Sequence, residues 1–112
     1  MDDKINEILT QYVAGLGSIL SSHLQKVILY GSYARGDFRE DSDIDIMILV
    51  DLDNEELKKV EKEISNYTFE VNFDNDIQIM PVIKNSLFFN QWVRAYPFFN
   101  NVHNEGVELY AA

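Results

Sequence analysis

The sequence predicts an α/β (α+β) fold, a small mixed β-sheet flanked by helices. Three observations predict it. Two short apolar runs, Val27-Ile28-Leu29-Tyr30 and Ile44 to Val50, are too short and too β-branched for helices and suit buried strands. Longer stretches before and after them carry apolar residues every three or four positions. No repeat, low-complexity tract or Pro/Gly/Ser-rich linker divides the chain, so residues 1–112 read as a single domain. Alternating helix and strand signals exclude a helical bundle.

In chain order, Ile5, Ile8, Leu9, Tyr12, Val13, Leu16, Ile19 and Leu20 form the stripe of an amphipathic helix, which Gly15 and Gly17 weaken locally. Val27 to Tyr30 ends at Gly31, where a turn must begin. In the second run Ile44, Ile46, Ile48 and Val50 alternate with Asp43, Asp45, Met47 and Leu49, which puts the two aspartates on one face. Asp53 and Glu56 form a capping-box pattern ahead of Leu57, Val60, Ile64 and Tyr67 at helical spacing. Asp76 to Ile83 reads as a third strand that Asp76 opens, with Pro81 favouring an edge or the strand's end. The aromatic stretch from Phe88 to Phe99 reads as one or two short helices, stopped at Asn104-Glu105-Gly106 before the tail Val107 to Tyr110.

Nine Lys plus Arg stand against nineteen Asp plus Glu, a formal charge of -10. Bulk nucleic-acid binding is disfavoured, because its affinity comes from cations that displace counterions. A small nucleotide escorted by divalent cations remains compatible, and a basic protein partner is favoured. No cysteine is present, so neither disulfides nor thiolate metal sites are available. The start Met1-Asp2-Asp3-Lys4 carries no leader pattern, and no apolar run approaches membrane-spanning length. A soluble protein of the cytoplasm, without membrane contact, is the expectation.

The segment from Gly31 to Asp45 carries the chemistry. Gly31-Ser32 follows a strand directly, ten residues intervene, and Asp43-Ile44-Asp45 opens the next strand. Glycine lets backbone approach phosphate oxygens, Ser32 offers a hydroxyl and an amide, and a short helix from Tyr33 would aim free N–H groups at an anion. Asp43 and Asp45, with Cα atoms about 6.6 to 6.8 Å apart in a strand, suit two Mg²⁺ ions that bridge a reacting phosphate. Asp76 is the candidate third acid and proton acceptor, with Asp74 the alternative two residues earlier. Together these make a metal-dependent nucleotidyl transfer site.

Gly31-Ser32-Tyr33-Ala34-Arg35-Gly36 joined to Ser42-Asp43-Ile44-Asp45 resembles the DNA polymerase β-like nucleotidyltransferase superfamily, and within it the minimal nucleotidyltransferase branch. The closing Glu105-Gly106-Val107-Glu108-Leu109-Tyr110 is similar to that branch's common ending. The resemblance implies a polymerase β-like fold. It also implies an antitoxin of a type VII toxin–antitoxin pair, encoded beside a HEPN-domain RNase toxin. Such a protein would transfer AMP from ATP to a tyrosine hydroxyl of that partner and form a hetero-complex with it. Carried over by residue, Gly31 and Ser32 would hold the triphosphate and Asp43 and Asp45 would ligate Mg²⁺, Asp76 being the fitting later acid. The chain leaves little room for an acceptor domain, so the acceptor is expected on another polypeptide. A binding antitoxin without catalysis, and transfer to a small molecule, are the rival readings.

Several residues carry two readings. Arg35 and, behind it, Arg39 could reach phosphates or sit solvated among Asp37, Glu40 and Asp41. Ser42 could bind nucleotide or hydrogen-bond its own backbone. His23 and His103 share no ligand spacing with the acids and read as surface or structural residues. Phe88, Phe89, Trp92, Tyr96, Phe98 and Phe99 read as core, with a partner surface as the alternative.

Overall fold

A computed structural model describes residues 3–112, so Met1 and Asp2 of the opening segment lie outside the described residues. The elements follow the order expected: α1 (Asp3–Leu20), β1 (Leu24–Tyr30), α2 (Ser32–Arg35), β2 (Ile44–Val50), α3 (Asn54–Asn75), β3 (Ile79–Asn85), α4 (Ser86–Trp92), α5 (Pro97–Glu105) and β4 (Val107–Ala111). A 3-10 turn, Ser21–His23, joins α1 to β1. Four strands form one mixed sheet in the order β3-β2-β1-β4. β1 runs antiparallel to β2 and β4, while β2 and β3 are parallel, joined by α3 as the crossover. Among the described residues no helix is long and apolar enough to cross a membrane.

Each face of the sheet has its own apolar layer. Ile44, Ile46, Ile48, Val27 and Leu29 pack with Leu9, Tyr12 and Leu16 of α1 and Leu57 and Ile64 of α3. Met47, Leu49 and Ile28 pack on the other side with Phe89 of α4 and Phe99 and Val102 of α5. The period-two alternation of β2 therefore divides its side chains between two helical layers. Asp45 shares the α4/α5 side with Met47 and Leu49, and Asp43 lies just before the strand.

Between α1 and α3 the rings of Tyr12 and Tyr67 stack 5.3 Å apart, and the Tyr12 hydroxyl hydrogen-bonds that of Thr68 at 2.8 Å. Gly15 does not break α1. A methyl group there would overlap the Tyr67 hydroxyl, so the missing side chain lets the two helices close on each other.

The third strand departs from expectation. α3 continues past Tyr67 to Asn75, and Asp76 is its C-cap, in the left-handed region at φ 52°. Asp76 therefore ends a helix and does not open a strand; β3 begins at Ile79. Asn72 is the reason: its side-chain oxygen accepts from the Ile79 N–H (2.8 Å) and its amide donates to the Ile79 carbonyl (3.1 Å), tying the last turn of α3 to the first residue of β3. Val71 packs against the core below it and keeps the helix going. Pro81 lies on an edge strand, as its missing N–H requires. The capping box of Asp53 and Glu56 is present in both directions.

Candidate active site

The site is built at the end of β1 and the start of β2. Tyr30, the last residue of β1, is the cross-strand partner of Asp45. The chain then turns at Gly31 with φ 75° and ψ -155°, a conformation essentially restricted to glycine. A Cβ at Gly31 would overlap Asp45 Oδ2, so the carboxylate lies directly on the Gly31 backbone. Ser32 begins α2. The Arg35 N–H donates to the Gly31 carbonyl (3.0 Å), and the N–H groups of Gly36 and Asp37 donate to the Ser32 carbonyl (2.9 and 3.1 Å). The N–H groups of the first turn, Ser32 to Ala34, have no acceptor within the helix. Gly36 closes the turn in the left-handed region at φ 84°. Tyr33 points inward and stacks on Phe38 at 4.3 Å, which fixes the motif loop to the core.

Asp43 is exposed and Asp45 half-buried. Burial, and then the neighbouring Asp43 charge, push the Asp45 carboxyl above its ordinary range, while the Arg35 cation pulls the other way. Tyr30 is pushed up to about 12 by burial and by the Asp45 charge, so it stays a neutral hydroxyl at neutral pH. Two hard oxygen donors that repel each other in this way suit a divalent cation. Among the described residues no three Asp, Glu or His side chains come together as a metal cage. The remaining coordination would fall to water and substrate phosphates, the usual arrangement for Mg²⁺.

The structure separates the other expected site residues. Asp76 is not gathered with Asp43 and Asp45; it borders a cavity of about 620 Å³ with Tyr33, Phe38, Ile44 and Gln78, residues that neither aspartate joins. In the parallel register Ile44 faces Ile79 and Asp45 faces Met80, so the β3 position beside Asp45 holds no acid. Asp74 lies within the last turn of α3. Ser42 takes the structural role, its Oγ accepting from the Arg39 N–H at 2.7 Å within the loop.

Arg35 is held from two sides, its Nε donating to Asp37 Oδ2 (3.2 Å) and its Nη1 to Glu105 Oε2 (3.4 Å). Both contacts are exposed, so they orient the guanidinium more than they stabilise the fold. Tyr30 and Glu105 are the residues the motif reading missed as parts of the site. Tyr30 was discoverable from its place before Gly31, whereas Glu105 reaches Arg35 only through the fold. His23 pairs with Asp51 at 2.7 Å on the surface.

Residues 10–93 match the model of the nucleotidyltransferase domain family. Two proteins of Methanocaldococcus jannaschii, provisionally named protein adenylyltransferases MJ0141 and MJ0604, are similar along most of the chain. The first is 36% identical over 108 residues, covering 95% of this chain and 99% of the relative. The second is 33% identical over 102 residues, covering 91% and 94%. Among solved structures, a candidate nucleotidyltransferase from Sulfolobus solfataricus superposes with a TM-score of 0.56 at 16% identity, over 96% of this chain and 81% of that one. A toxin–antitoxin crystal structure with AMP-PNP gives 0.53 at 21%, over 92% and 73%. The complex of a tri-AMPylated Shewanella oneidensis HEPN toxin with an MNT antitoxin gives 0.50 at 19%, over 96% and 73%. At these identities the solved structures show a shared fold.

Proposed function

Because this chain belongs to the nucleotidyltransferase domain family, we propose that it transfers AMP from ATP, with Mg²⁺, to a tyrosine hydroxyl of a HEPN-domain toxin and so acts as that toxin's cytoplasmic antitoxin. Residues 1–112 act in this reading as one minimal nucleotidyltransferase domain. The observation that carries it is the seating of Asp45 on the Gly31 backbone with Asp43 beside it, which joins the phosphate turn and the acid pair into one unit.

Mg²⁺ held by Asp43 and Asp45 would supply neutralisation of the triphosphate and polarisation of the reacting phosphate. The chain's own residues do the rest. The turn at Gly31 and Ser32 receives the β- and γ-phosphates, and the N–H groups opening α2 donate to their oxygens. Arg35, oriented by Asp37 and Glu105, sets a cation near the acid pair, where pyrophosphate charge develops. The acceptor oxygen attacks the α-phosphorus, the bond from that phosphorus to the β-phosphate bridging oxygen breaks, and pyrophosphate leaves. The acceptor hydroxyl gives up its proton to solvent as its oxygen bonds to phosphorus.

Labelled ATP, Mg²⁺ and the product of the adjacent gene test the reading. The wild-type chain should label that product, and Asp43→Asn with Asp45→Asn should abolish labelling; equal labelling by the two would sink it. One observation favours a second reading, a binding antitoxin without catalysis: among the described residues no third acid joins the pair. Neutralisation of the toxin by the double variant would select it.

A further inference from the structure

Of the six aromatic residues from Phe88 to Phe99, two are core and four are not. Phe89 and Phe99 are buried, whereas Trp92, Tyr96 and Phe98 are 37%, 45% and 44% exposed and Phe88 is similarly open. Their rings form one strip: Trp92 stacks on Tyr96 at 5.7 Å, Phe88 touches both, and the buried Phe99 joins Phe98 to Phe88 and Tyr96. Phe98 also meets Tyr30 edge-on at 5.6 Å, and Tyr30 is the cross-strand partner of Asp45. The strip thus runs along the sheet face that carries the acid pair and ends beside it.

Its composition differs from the rest of the chain. From Ser86 to Asn104 the only fixed charge is Arg94, in a protein with 28 charged residues and a net charge of -10. Aromatic enrichment with charge depletion is the signature of an interface centre, and a contiguous exposed apolar patch on a small soluble fold marks a contact site. The acid pair itself does not line the 620 Å³ cavity.

We infer that α4 and α5 are the docking surface for the acceptor protein: its apolar patch covers Trp92, Tyr96 and Phe98, and its hydroxyl lies over Asp45. This rests on the transfer reaction proposed above and names where its acceptor binds. The strip supplies apolar contact, while the chain's net charge of -10 favours a partner of opposite charge. Phe69 and Phe73 on α3, 69% and 78% exposed, make a second apolar pair with no comparable link to the acid pair, and serve as the control.

Trp92 is the chain's only tryptophan, so 5-fluorotryptophan gives the wild-type protein a single ¹⁹F signal from the strip. Adding the product of the adjacent gene should shift that signal on complex formation. Trp92→Ser with Tyr96→Ser should raise the KM for that acceptor at least tenfold and leave ATP affinity unchanged, and Phe69→Ser with Phe73→Ser should change neither. A complex or labelling with an unmoved signal overturns the surface and leaves the transfer reaction standing, as does loss of binding in the α3 variant alone. A shifted signal without labelling keeps the surface and removes the transfer. A shift with rising concentration of this chain alone assigns the strip to a homodimer and overturns the proposal, and no complex at all overturns both.

Discussion

Gly31→Ala separates the two things glycine does in this turn. At φ 75° and ψ -155° an alanine is strained, at about 1–3 kcal/mol. Its Cβ would also overlap Asp45 Oδ2 and lie 3.2 Å from Asp45 Cγ, so the carboxylate has to retreat by ~1 Å to reach ordinary contact. A misplacement of ~1 Å in a reacting constellation costs on the order of 100-fold in rate. The expected result is a chain destabilised by about 1–3 kcal/mol in urea, with kcat/KM for acceptor labelling lowered on the order of 100-fold. Gly36→Ala is the control: it too has positive φ (84°), but nothing lies within 4 Å of its Cβ, so it should lose stability and keep activity. In an Asp45→Ala background the overlap is gone, and Gly31→Ala should then cost only its backbone strain, a non-additivity that a double-mutant cycle in urea reads directly. Wild-type kcat/KM in Gly31→Ala, or equal rate losses at Gly31 and Gly36, would refute the claim that Asp45 is seated on this turn.

Further outcomes follow from other contacts. The Asp45 pKa is raised on folding, so the folded chain holds that proton more tightly than the unfolded chain; without Mg²⁺, stability should fall as pH rises from the ordinary aspartate range through the raised value, and Asp45→Asn should remove that slope in urea titrations across pH. Arg35→Ala deletes the cation opposing this shift, so the acid limb of the kcat/KM pH profile should move to higher pH. Asp76→Asn, in a left-handed cap that asparagine tolerates, should leave stability within about 0.5 kcal/mol and retain labelling, against complete loss for Asp43→Asn. Tyr12→Phe removes the buried hydrogen bond to Thr68, whose hydroxyl keeps its bond to the Ile64 carbonyl, and should cost about 0.5–1.5 kcal/mol in urea denaturation.

Local signals carried the site's centre. Gly31 is demanded by a backbone conformation and Asp43 and Asp45 by strand alternation, both properties of neighbouring residues, and the structure places them together. The start of the third strand was misread for a nonlocal reason. Asp76 resembles a strand opener in sequence, but the hydrogen bonds of Asn72 to Ile79 bring α3 up to it as the helix cap and start β3 three residues later. That shift leaves Met80, a neutral side chain, beside Asp45.

By itself, then, the sequence determined the order of helices and strands, the glycine turn at Gly31 and the neighbouring acid pair, because hydrophobic period and glycine geometry act over a few residues. Tertiary structure decided which groups meet across the chain. Arg35 reaches Glu105, seventy residues away, only because β4 returns to pair with β1. The aromatic helices divide into buried and exposed rings only because the sheet has room for Phe89 and Phe99 beneath them, leaving Trp92, Tyr96 and Phe98 facing outward, with Phe98 against Tyr30, the cross-strand partner of Asp45. Spacing along a chain fixes which side chains share a face, whereas the area available on the opposing layer fixes how many of them are covered.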